Sequence, residues 1–503
     1  MIVILFISFA IRFYKISDVP PGLYIDEVSI GYNAFRVLTT GKDEFGVSYP
    51  LFFKSFGDYK MPVYIYATSL SMSVFGKNEF AVRFPSAFLG SLTVLLFYLF
   101  IKKVLQLDAS KLKENRETIA LLSAFLLAIT PWQLQFSRGG FENNAALFIF
   151  MLAFTLALYF FERKRIALFI ISMFLFALSI YTYHTYRIFA PLTVGIISAF
   201  SIYRYPRQRR KIILGALVFL ILATPIFLFS LSSQGSSRFA ATSAFTELGK
   251  IDNNQKIFLY PLTIIKNYLS FFSFYFLFDT GDGIGRHQIP NFGPLFKWQL
   301  PFLLIGIYSL IKLKSKFFKP LILILLFIAP MPASLVVPSP QTLRPLLIVI
   351  PLIALISLGV INFNTYIRRA RFGKHLLFLL VLIAFFELLF YLHYYYVHYP
   401  QVNQLDWGSG YKETVLRTEE MRTKFDEVIV DKNLTFFSIY YKFYTNKQVP
   451  REVGVEWLKP ADWKNKKVLY VRPYYGSNYN PQIISNVYLS NDPNYIFAQF
   501  WSL

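Results

Sequence analysis

Long apolar runs separated by short polar connections dominate the pattern of this chain. A bilayer core is about 30 Å thick and is crossed by about 20 apolar helical residues, so each long run predicts a membrane-spanning helix. Ten such runs lie at 85–101, 118–136, 144–161, 166–181, 188–203, 212–231, 298–311, 320–337, 345–363 and 375–396. With the apolar start of the chain, the pattern predicts about eleven transmembrane helices. The first run is short, with eleven residues before Arg12, so this helix either continues past Arg12 to about Ile16 or the chain begins late.

Three longer stretches outside these runs carry many of the polar residues, at 14–84, 232–297 and 397–503. In the first stretch, apolar residues recur at helical spacing over 28–38 and 64–75, which predicts helices lying along the membrane surface. The last stretch combines a charged helical pattern at 411–424 with strand-like segments at 427–430, 467–471 and 495–501. We therefore predict a polytopic α-helical membrane domain, residues 1–396, followed by a small α/β domain, residues 397–503.

Composition supports a membrane protein, because 55% of the 503 residues are hydrophobic, 16% are charged, and the mean hydropathy is +0.45. A net charge of +23 would suggest nucleic-acid binding in a soluble protein. Here, however, Lys and Arg are concentrated in alternate connections, at 102–116, 163–165, 204–211, 312–319 and 368–374. The positive-inside rule makes these connections cytoplasmic, so we expect a plasma-membrane protein with its N-terminus inside and its C-terminal domain outside. Nucleic acid is not an expected partner, and the absence of cysteine excludes disulfides and thiolate chemistry.

Two acidic pairs, Asp26-Glu27 and Asp43-Glu44, lie in the first polar stretch. Carboxylates beside a membrane are energetically unfavourable, and catalysis is the leading explanation for their presence. Asp26 follows the Pro20-Pro21-Gly22 turn at the start of a helical pattern, so helix cap and catalyst are equally open roles for it, and Glu27 suits a helix-dipole partner. Asp43 and Glu44 stand among glycines, where a solvated turn is the commoner explanation.

Cationic side chains on the predicted outer face are candidates for binding an anionic substrate. They are Lys60, Arg83, Arg138, Arg187, Arg286 and Arg344. Pairing with Glu142 is favoured for Arg138, and Arg187 follows an aromatic segment typical of a membrane interface.

The glycine-rich segment 279–287 ends in Arg286-His287, which offers hydrogen-bond donors to phosphate or sugar hydroxyl groups. Its aspartate spacing resembles a calcium loop but lacks the final glutamate, so a polar turn is favoured over a metal site. Neither a Walker loop nor a dinucleotide fingerprint occurs in the sequence, which argues against a nucleotide-driven pump or a cytoplasmic nucleotide-sugar enzyme.

Several segments together resemble a known superfamily. The runs Pro20-Pro21-Gly22-Leu23-Tyr24-Ile25-Asp26-Glu27, Gly57-Asp58-Tyr59-Lys60-Met61-Pro62-Val63-Tyr64, Phe75-Gly76 and Arg83-Phe84-Pro85-Ser86 are similar to protein O-mannosyltransferases and aminoarabinose transferases. The resemblance covers roughly residues 1–345. It implies a GT-C fold and a membrane glycosyltransferase with a polyprenyl-phosphate sugar as donor, Asp26 as the catalytic carboxylate and Lys60 near the donor phosphate. Relatives have Glu-Lys-Pro-Pro where this chain has Tyr59-Lys60-Met61-Pro62, so a glutamate that sometimes binds metal is missing.

The chemistry of such a donor needs few groups. The phosphate is already a good leaving group, so one ionised carboxylate acting as general base on the acceptor suffices, with inversion at C1. A fixed cation near the departing phosphate stabilises its growing charge.

We therefore predict Asp26 and Glu27 as catalytic residues. Predicted substrate-binding residues are Lys60, Arg83, Asp43, Glu44, Arg138, Arg286 and His287. No cofactor is required by the pattern, although a divalent metal is possible. The sequence leaves the sugar open, and the acceptor can be a lipid, a protein or a polysaccharide.

A transporter or flippase of lipid-linked sugars is the rival class, but such proteins place ionisable residues at mid-membrane depth, where this chain has few acids beyond Glu387. A binding or scaffold role is a weaker third class.

Overall fold

A computed structural model of the protein describes residues 1–108, 110–244, 253–368, 370–454, 466–473, 482–489 and 492–502. The chain divides into two compact units, each built from segments distant in sequence. The first unit comprises Met1–Tyr14, Pro50–Ala67 and Phe84–Leu392. The second comprises Lys15–Tyr49, Thr68–Arg83 and His393–Leu503. The predicted domain division at residue 396 stays a prediction.

Helices make up most of the described chain. In order they are α1 (Ile2–Phe13), α2 (Ile25–Thr40), α3 (Pro62–Phe75), α4 (Glu79–Leu107), α5 (Arg116–Ile129), α6 (Pro131–Arg138), α7 (Glu142–Arg163), α8 (Ile166–Ile180), α9 (Tyr186–Arg204), α10 (Arg209–Leu231), α11 (Ser233–Thr242), α12 (Asn253–Ser270), α13 (Gln299–Lys312), α14 (Phe318–Ile328), α15 (Met331–Ser334), α16 (Val349–Ile367), α17 (Gly373–His393), α18 (Tyr399–Val402), α19 (Tyr411–Arg422) and α20 (Phe437–Thr445). The helices predicted at 28–38 and 64–75 correspond to α2 and α3.

Six helical segments among the described residues are long and apolar enough to cross a membrane. They are Glu79–Leu107, Glu142–Arg163, Tyr186–Arg204, Pro206–Leu231, Leu346–Ile367 and Gly373–Val402. A seventh span results if α5 and α6, which meet at 54°, are counted as one broken helix. Four predicted spans, at 1–11, 166–181, 298–311 and 320–337, correspond to shorter apolar helices. The protein is therefore multi-pass, and the count of eleven stays a prediction.

The interior of the first unit is organised around α16, which is buried along most of its length. Gly306 on α13 and Gly359 on α16 permit close contact between these helices, because a Cβ atom at either position would overlap the backbone of the other helix. Glu387, an acid inside a predicted span, accepts hydrogen bonds from the backbone N–H groups of Lys297 (2.9 Å) and Trp298 (3.3 Å). Its carboxylate therefore caps the N-terminus of α13, where N–H groups without a partner in the helix favour negative charge.

A short antiparallel hairpin, β1 (Phe53–Ser55) and β2 (Asp58–Lys60), also belongs to the first unit. Its two-residue loop, Phe56-Gly57, has positive φ at both positions (49° and 79°), as the tightest hairpin turns require. The register pairs Phe53 with Lys60, so the predicted substrate-binding lysine ends the hairpin.

The second unit contains a five-stranded mixed sheet of β3 (Glu427–Asp431), β4 (Arg451–Val453), β5 (Val468–Pro473), β6 (Gln482–Leu489) and β7 (Asp492–Ser502). The order is β4-β3-β5-β7-β6, with β3 parallel to β4 and β5, and β7 antiparallel to β5 and β6. The predicted strands are confirmed as β3, β5 and β7, and the predicted helix as α19. Helix α20 was not predicted, since its sequence FSIYYKFYT favours strands by intrinsic propensity.

Candidate functional site

Asp26 is the second residue of α2 and is partly exposed. The cap residue of this helix is Tyr24, so of the two roles left open for Asp26 the helix cap is wrong. Glu27 contributes to the cap at the N-terminus of the helix instead, because its Oε2 accepts a hydrogen bond from the backbone N–H of Tyr24 (3.1 Å). Asp26 therefore lies in the first helical turn, where the N-terminal dipole stabilises a carboxylate in its ionised form.

Glu27 and Arg83 form a fully buried ion pair beside Asp26. Arg83 Nε donates to Glu27 Oε1 (2.8 Å) and Nη2 donates to Oε2 (3.1 Å). Nη1 donates to the carbonyl oxygens of Ile16 (2.9 Å) and Pro20 (2.8 Å), and Nη2 also donates to that of Gly22. All five guanidinium N–H donors are thus used, three on carbonyl groups of the segment before α2 and two on Glu27 in its first turn.

This arrangement meets the requirement that a buried charge be paired and fully hydrogen-bonded. It ties the chain at Ile16, Pro20 and Gly22 to the first turn of α2 and so fixes the backbone on both sides of Asp26. The contacts assign Glu27 and Arg83 a structural role around Asp26. Their direct participation in catalysis and substrate binding stays a prediction.

Asp43 builds the turn that follows α2. Its side chain is buried, and Oδ1 accepts hydrogen bonds from the backbone N–H groups of Phe45 (2.9 Å) and Val47 (2.8 Å). These bonds are typical of an aspartate that organises a tight turn. A contact between Asp43 and substrate stays a prediction.

Glu44 occupies a largely buried position between α2 and α20. Its backbone N–H donates to Asn33 Oδ1 (3.0 Å), and its Oε2 lies 3.8 Å from Nζ of Lys442. Burial raises the pKa of Glu44 above its ordinary value, although Lys442 and the Asn33 side chain act in the opposite direction. Asn33 follows Asp26 by seven residues, so both side chains start from the same face of α2, about 10 Å apart along its axis.

Lys60 is buried at the end of β2, in the first unit. The next residue, Met61, accepts a contact at its sulfur from Arg187 Nη2 (3.3 Å), while Arg187 Nη1 donates to Ser230 Oγ (3.0 Å). Arg187 thereby connects the end of the hairpin to α10, and the Lys60 region lies beside the start of α9. The aromatic segment before Arg187 indicated a position at the membrane interface. Its contact with Met61 was not predicted, because it joins segments 126 positions apart.

A cavity of about 370 Å³ opens beside Arg187 in the first unit. Its polar lining includes two arginines, a histidine and several hydroxyl groups, and its apolar lining comes from α9, α10 and the segment around α15. The lining residues are His184, Thr185, Arg187, Ile188, Phe227, Ser230, Gly235, Ser236, Thr242, Pro332, Leu335, Val336 and Arg344. The Thr185 hydroxyl is buried and makes no hydrogen bond to the part of the protein that the structure describes. Two guanidinium groups against an apolar wall suit an anionic head group that carries a hydrocarbon chain.

Arg138 is fully buried against the end of α1. Its Nη1 donates to the carbonyl oxygens of Ile11 (2.6 Å) and Arg12 (2.9 Å), and its Nη2 donates to that of Tyr14 (2.8 Å). A cation at a helix C-terminus satisfies carbonyl groups that have no partner within the helix. These contacts give Arg138 a role in holding α1.

His287 is buried in the segment predicted to be a polar turn. Its Nδ1 lies 2.7 Å from Asp282 Oδ2, which also accepts hydrogen bonds from the backbone N–H and the hydroxyl of Thr342, each at 2.8 Å. Burial alone would raise the pKa of Asp282, but hydrogen bonding and charge from His287, with the N–H groups of Thr342 and Ile284, hold it below its ordinary value. Arg286 lies beside this pair, and its carbonyl oxygen accepts a hydrogen bond from Gln135 Nε2 (2.8 Å).

The structure sorts the predicted site residues into two groups. Asp26, Glu27, Arg83, Asp43 and Glu44 belong to the second unit, whereas Lys60, Arg138, Arg286 and His287 belong to the first. Within the described ranges, no group of three or more His, Cys, Asp or Glu side chains is placed to hold a metal ion. The use of a divalent metal stays an open possibility.

The profile of the dolichyl-phosphate-mannose-protein mannosyltransferase family matches residues 59–229. Among solved structures, ArnT from Cupriavidus metallidurans bound to undecaprenyl phosphate superimposes with a TM-score of 0.52 at 12% identity, covering 99% of this chain and 96% of that one. The Archaeoglobus fulgidus oligosaccharyltransferase, in a complex with zinc and sulfate, gives a TM-score of 0.51 at 17% identity, covering 90% of this chain. This chain spans 61% of the length of that protein. No curated protein sequence matches significantly.

These similarities confirm the predicted fold class and the predicted resemblance. The chain has the GT-C fold of membrane glycosyltransferases, with several apolar spans and a small C-terminal sheet. The family profile covers about a third of the chain and includes Lys60, the cavity-lining Arg187 and most of α10.

Proposed function

We propose that this protein is a membrane glycosyltransferase that moves a sugar from a polyprenyl-phosphate carrier to an extracytoplasmic acceptor. The cavity lined by Arg187 and Arg344 carries the proposal, because it combines two cations and free space with an apolar wall on a GT-C fold. Two solved neighbours support a lipid-phosphate donor: one is bound to undecaprenyl phosphate, and AglB from Archaeoglobus fulgidus is in complex with an inhibitory peptide and a dolichol-phosphate. The peptide in the second complex also makes a protein acceptor reasonable here.

The donor phosphate binds beside Arg187 and Arg344, and Lys60 acts from the neighbouring hairpin. A guanidinium group binds phosphate through two parallel hydrogen bonds, and Arg187 already has its orientation fixed by Ser230. The hydrocarbon chain of the carrier lies along Ile188, Phe227 and Leu335. As the C1–O bond to phosphate breaks, negative charge grows on the phosphate, and fixed cations in a partly desolvated site stabilise that change more than water does.

Asp26 acts as the general base on the acceptor. The acceptor oxygen or nitrogen forms a bond to C1 of the sugar, its proton passes to the Asp26 carboxylate, and the electron pair of the breaking C1–O bond leaves with the polyprenyl phosphate. A single displacement of this kind inverts the configuration at C1. The first-turn position of Asp26 suits this role, since the N-terminal end of a helix favours negative charge and the Asp26 side chain is partly exposed.

The proposed topology follows the distribution of Lys and Arg. The N-terminus is cytoplasmic, and the polar stretches 14–84, 232–297 and 397–503 are outside the plasma membrane. Asp26 and Lys60 then both belong to the first extracytoplasmic stretch, where a lipid-linked sugar that has crossed the membrane is available.

Purified protein in lipid nanodiscs, incubated with radiolabelled polyprenyl-phosphate sugars and candidate acceptors, tests the proposal. Asp26→Asn should lower kcat by about 10²- to 10⁴-fold, as expected for loss of a general base. Arg187→Ala should raise the KM for the lipid donor, and Arg204→Ala, at the other end of α9, is the matched control with unchanged kinetics. Transfer by Asp26→Asn at the wild-type rate contradicts the assigned base. Movement of intact lipid-linked sugar across the bilayer without product would support a flippase instead.

A further inference from the structure

We propose that the C-terminal segment, from Trp407 through α20, positions Asp26 for catalysis, with Tyr440 and Trp407 as positioning residues. The inference rests on the proposed role of Asp26 as general base. It gives the C-terminal region a part in the chemistry that is exerted through Asp26, although none of its side chains was predicted as a site residue. The contacts that support it all lie within the second unit.

The first contact is a long-range hydrogen bond to the turn that precedes α2. The Tyr440 hydroxyl donates to the carbonyl oxygen of Leu23 at 2.7 Å, and both groups are buried. Leu23 lies three residues before Asp26, so this bond fixes the peptide from which the helix starts. The Tyr440 ring is itself held in place by Tyr411, which stacks on it with centroids 4.1 Å apart and an angle of 4°.

The second contact is an aromatic pair at the cap of α2. The rings of Tyr24 and Trp407 meet edge to face, with centroids 5.5 Å apart and an interplanar angle of 87°. Trp407 is fully buried, and its Nε1 donates to the hydroxyl of Tyr399 (2.7 Å). Tyr24 is the cap residue of α2, so Trp407 packs directly against the residue whose N–H group Glu27 binds.

Glycines allow the two backbones to approach at this place. Gly22 has φ of 73°, and a Cβ atom there would lie 2.8 Å from the carbonyl oxygen of Trp407. Gly408 has φ of 65°, and a Cβ atom there would lie 2.8 Å from the carbonyl oxygen of Leu23. Both positions combine a left-handed backbone with no room for a side chain, which only glycine satisfies at low cost. The turn before α2 and the loop after Trp407 therefore have matching shapes.

Helix α20 continues the contact along α2. Gly31 on α2 leaves space for the ring of Phe443, which would lie 2.8 Å from a Cβ atom at that position. One residue earlier, Lys442 reaches toward Glu44 (3.8 Å) and lies 5.9 Å from the centre of the Tyr32 ring. The helix that carries Asp26 is thus held at its start by Tyr440 and Trp407 and further along by Phe443.

Catalysis requires this kind of support, because a general base must be held within about 0.5 Å of its productive position. A displacement of about 1 Å can reduce the rate by about 10²-fold. Arg83 also holds this turn, through the carbonyls of Ile16, Pro20 and Gly22. Tyr440 binds the carbonyl group of Leu23, the residue that follows Gly22.

The test uses full-length protein in nanodiscs and combines Tyr440→Phe with Asp26→Asn in a double-mutant cycle. Tyr440→Phe removes one hydroxyl group and should lower kcat by about 2- to 12-fold, the equivalent of one hydrogen bond, with the KM for the lipid donor unchanged. In the Asp26→Asn background the same change should have no further effect, because Tyr440 acts through Asp26. Trp407→Phe should behave like Tyr440→Phe. Tyr488→Phe, a half-exposed tyrosine on β6, is the control and should match wild type.

The outcomes separate the two proposals. If Asp26→Asn transfers sugar like wild type, the proposed function has the wrong base and the positioning role fails with it. If Asp26→Asn is inactive while Tyr440→Phe and Trp407→Phe retain wild-type kcat, only the positioning role is refuted. A Tyr440→Phe effect of equal size in both backgrounds, or one confined to donor KM, also refutes it, since the tyrosine would then act independently of Asp26.

Discussion

Asp26 and Glu27 are adjacent acids with different surroundings, and changing each to its amide should separate chemistry from stability. Asp26→Asn should lower stability by no more than about 1 kcal/mol, the value of one charge near a helix N-terminus, and abolish most sugar transfer. Glu27→Gln should instead lower stability strongly. The difference follows from position, because Asp26 is partly exposed in the first turn of α2 whereas Glu27 is fully buried against Arg83.

The magnitude follows from the contacts of Glu27. Its two oxygens accept hydrogen bonds from Arg83 Nε, from Arg83 Nη2 and from the backbone N–H of Tyr24. A glutamine has one acceptor oxygen, so at least one of these donors faces an NH₂ group, and the Arg83 charge loses its counterion. Removing one partner of a buried ion pair typically costs about 3–5 kcal/mol. At about 2 °C per kcal/mol, Tm should fall by about 6–10 °C.

The assay is thermal unfolding of the purified protein in one detergent, followed by intrinsic tryptophan fluorescence, with transfer kinetics measured well below the transition. Glu27→Gln should show a lowered Tm and, at low temperature, a kcat reduced far less than that of Asp26→Asn. The reasoning is refuted if Glu27→Gln melts like wild type but loses transfer. That result would support the prediction that Glu27 is a catalytic residue and would mean that the buried pair contributes little to stability.

Three further changes test the packing around the site. Glu44→Gln should raise stability at neutral pH, because the raised pKa of the buried acid means that its ionised form is disfavoured in the folded protein. The gain should shrink toward about pH 4, where the unfolded chain also binds the proton. Thermal unfolding measured across this pH range tests both statements. Asp282→Asn should destabilise the protein above about pH 5. The difference in stability from wild type should shrink below about pH 4, because a lowered pKa confers stability that is lost as the carboxylate is protonated. A difference in stability that stays constant at all pH values would contradict this. Gly31→Ala should cost about 1–3 kcal/mol, since its Cβ would press on Phe443. Gly195→Ala, at a helical glycine with open space around it, should instead stabilise the protein by about 0.5–1 kcal/mol. If both substitutions stabilise or both destabilise the protein in urea or thermal unfolding, the proposed contact is refuted.

Much of the fold could be predicted from the sequence, because hydropathy and helical spacing are local properties. The runs of apolar residues place most of the long helices, and the spacing of Val28, Tyr32 and Phe35 predicts α2 before any contact is known. Helix α20 was missed because its aromatic sequence favours strands, and packing against α2 overrides that preference. The candidate Asp26 came from its place after a proline-glycine turn and from the family resemblance.

The partners of the candidate residues could not be predicted in this way. Arg83 lies 56 positions from Glu27, and Tyr440 lies 417 positions from Leu23. Neither separation leaves a periodic signal, since only the folded backbone decides which buried donors meet which acceptors. The same holds for the cavity, whose arginines, Arg187 and Arg344, come from distant helices and loops.

The sequence by itself determined that this is a multi-pass membrane protein with its acidic residues concentrated outside the apolar runs. Placing polar groups in a bilayer costs free energy in each segment separately, so the constraint is visible in the local sequence. Tertiary structure alone decided which of those acids is buried in the framework and which stays partly exposed. Glu27 and Asp26 are neighbours with nearly identical chemistry, and they differ because α2 turns one toward Arg83 in the interior and leaves the other partly exposed.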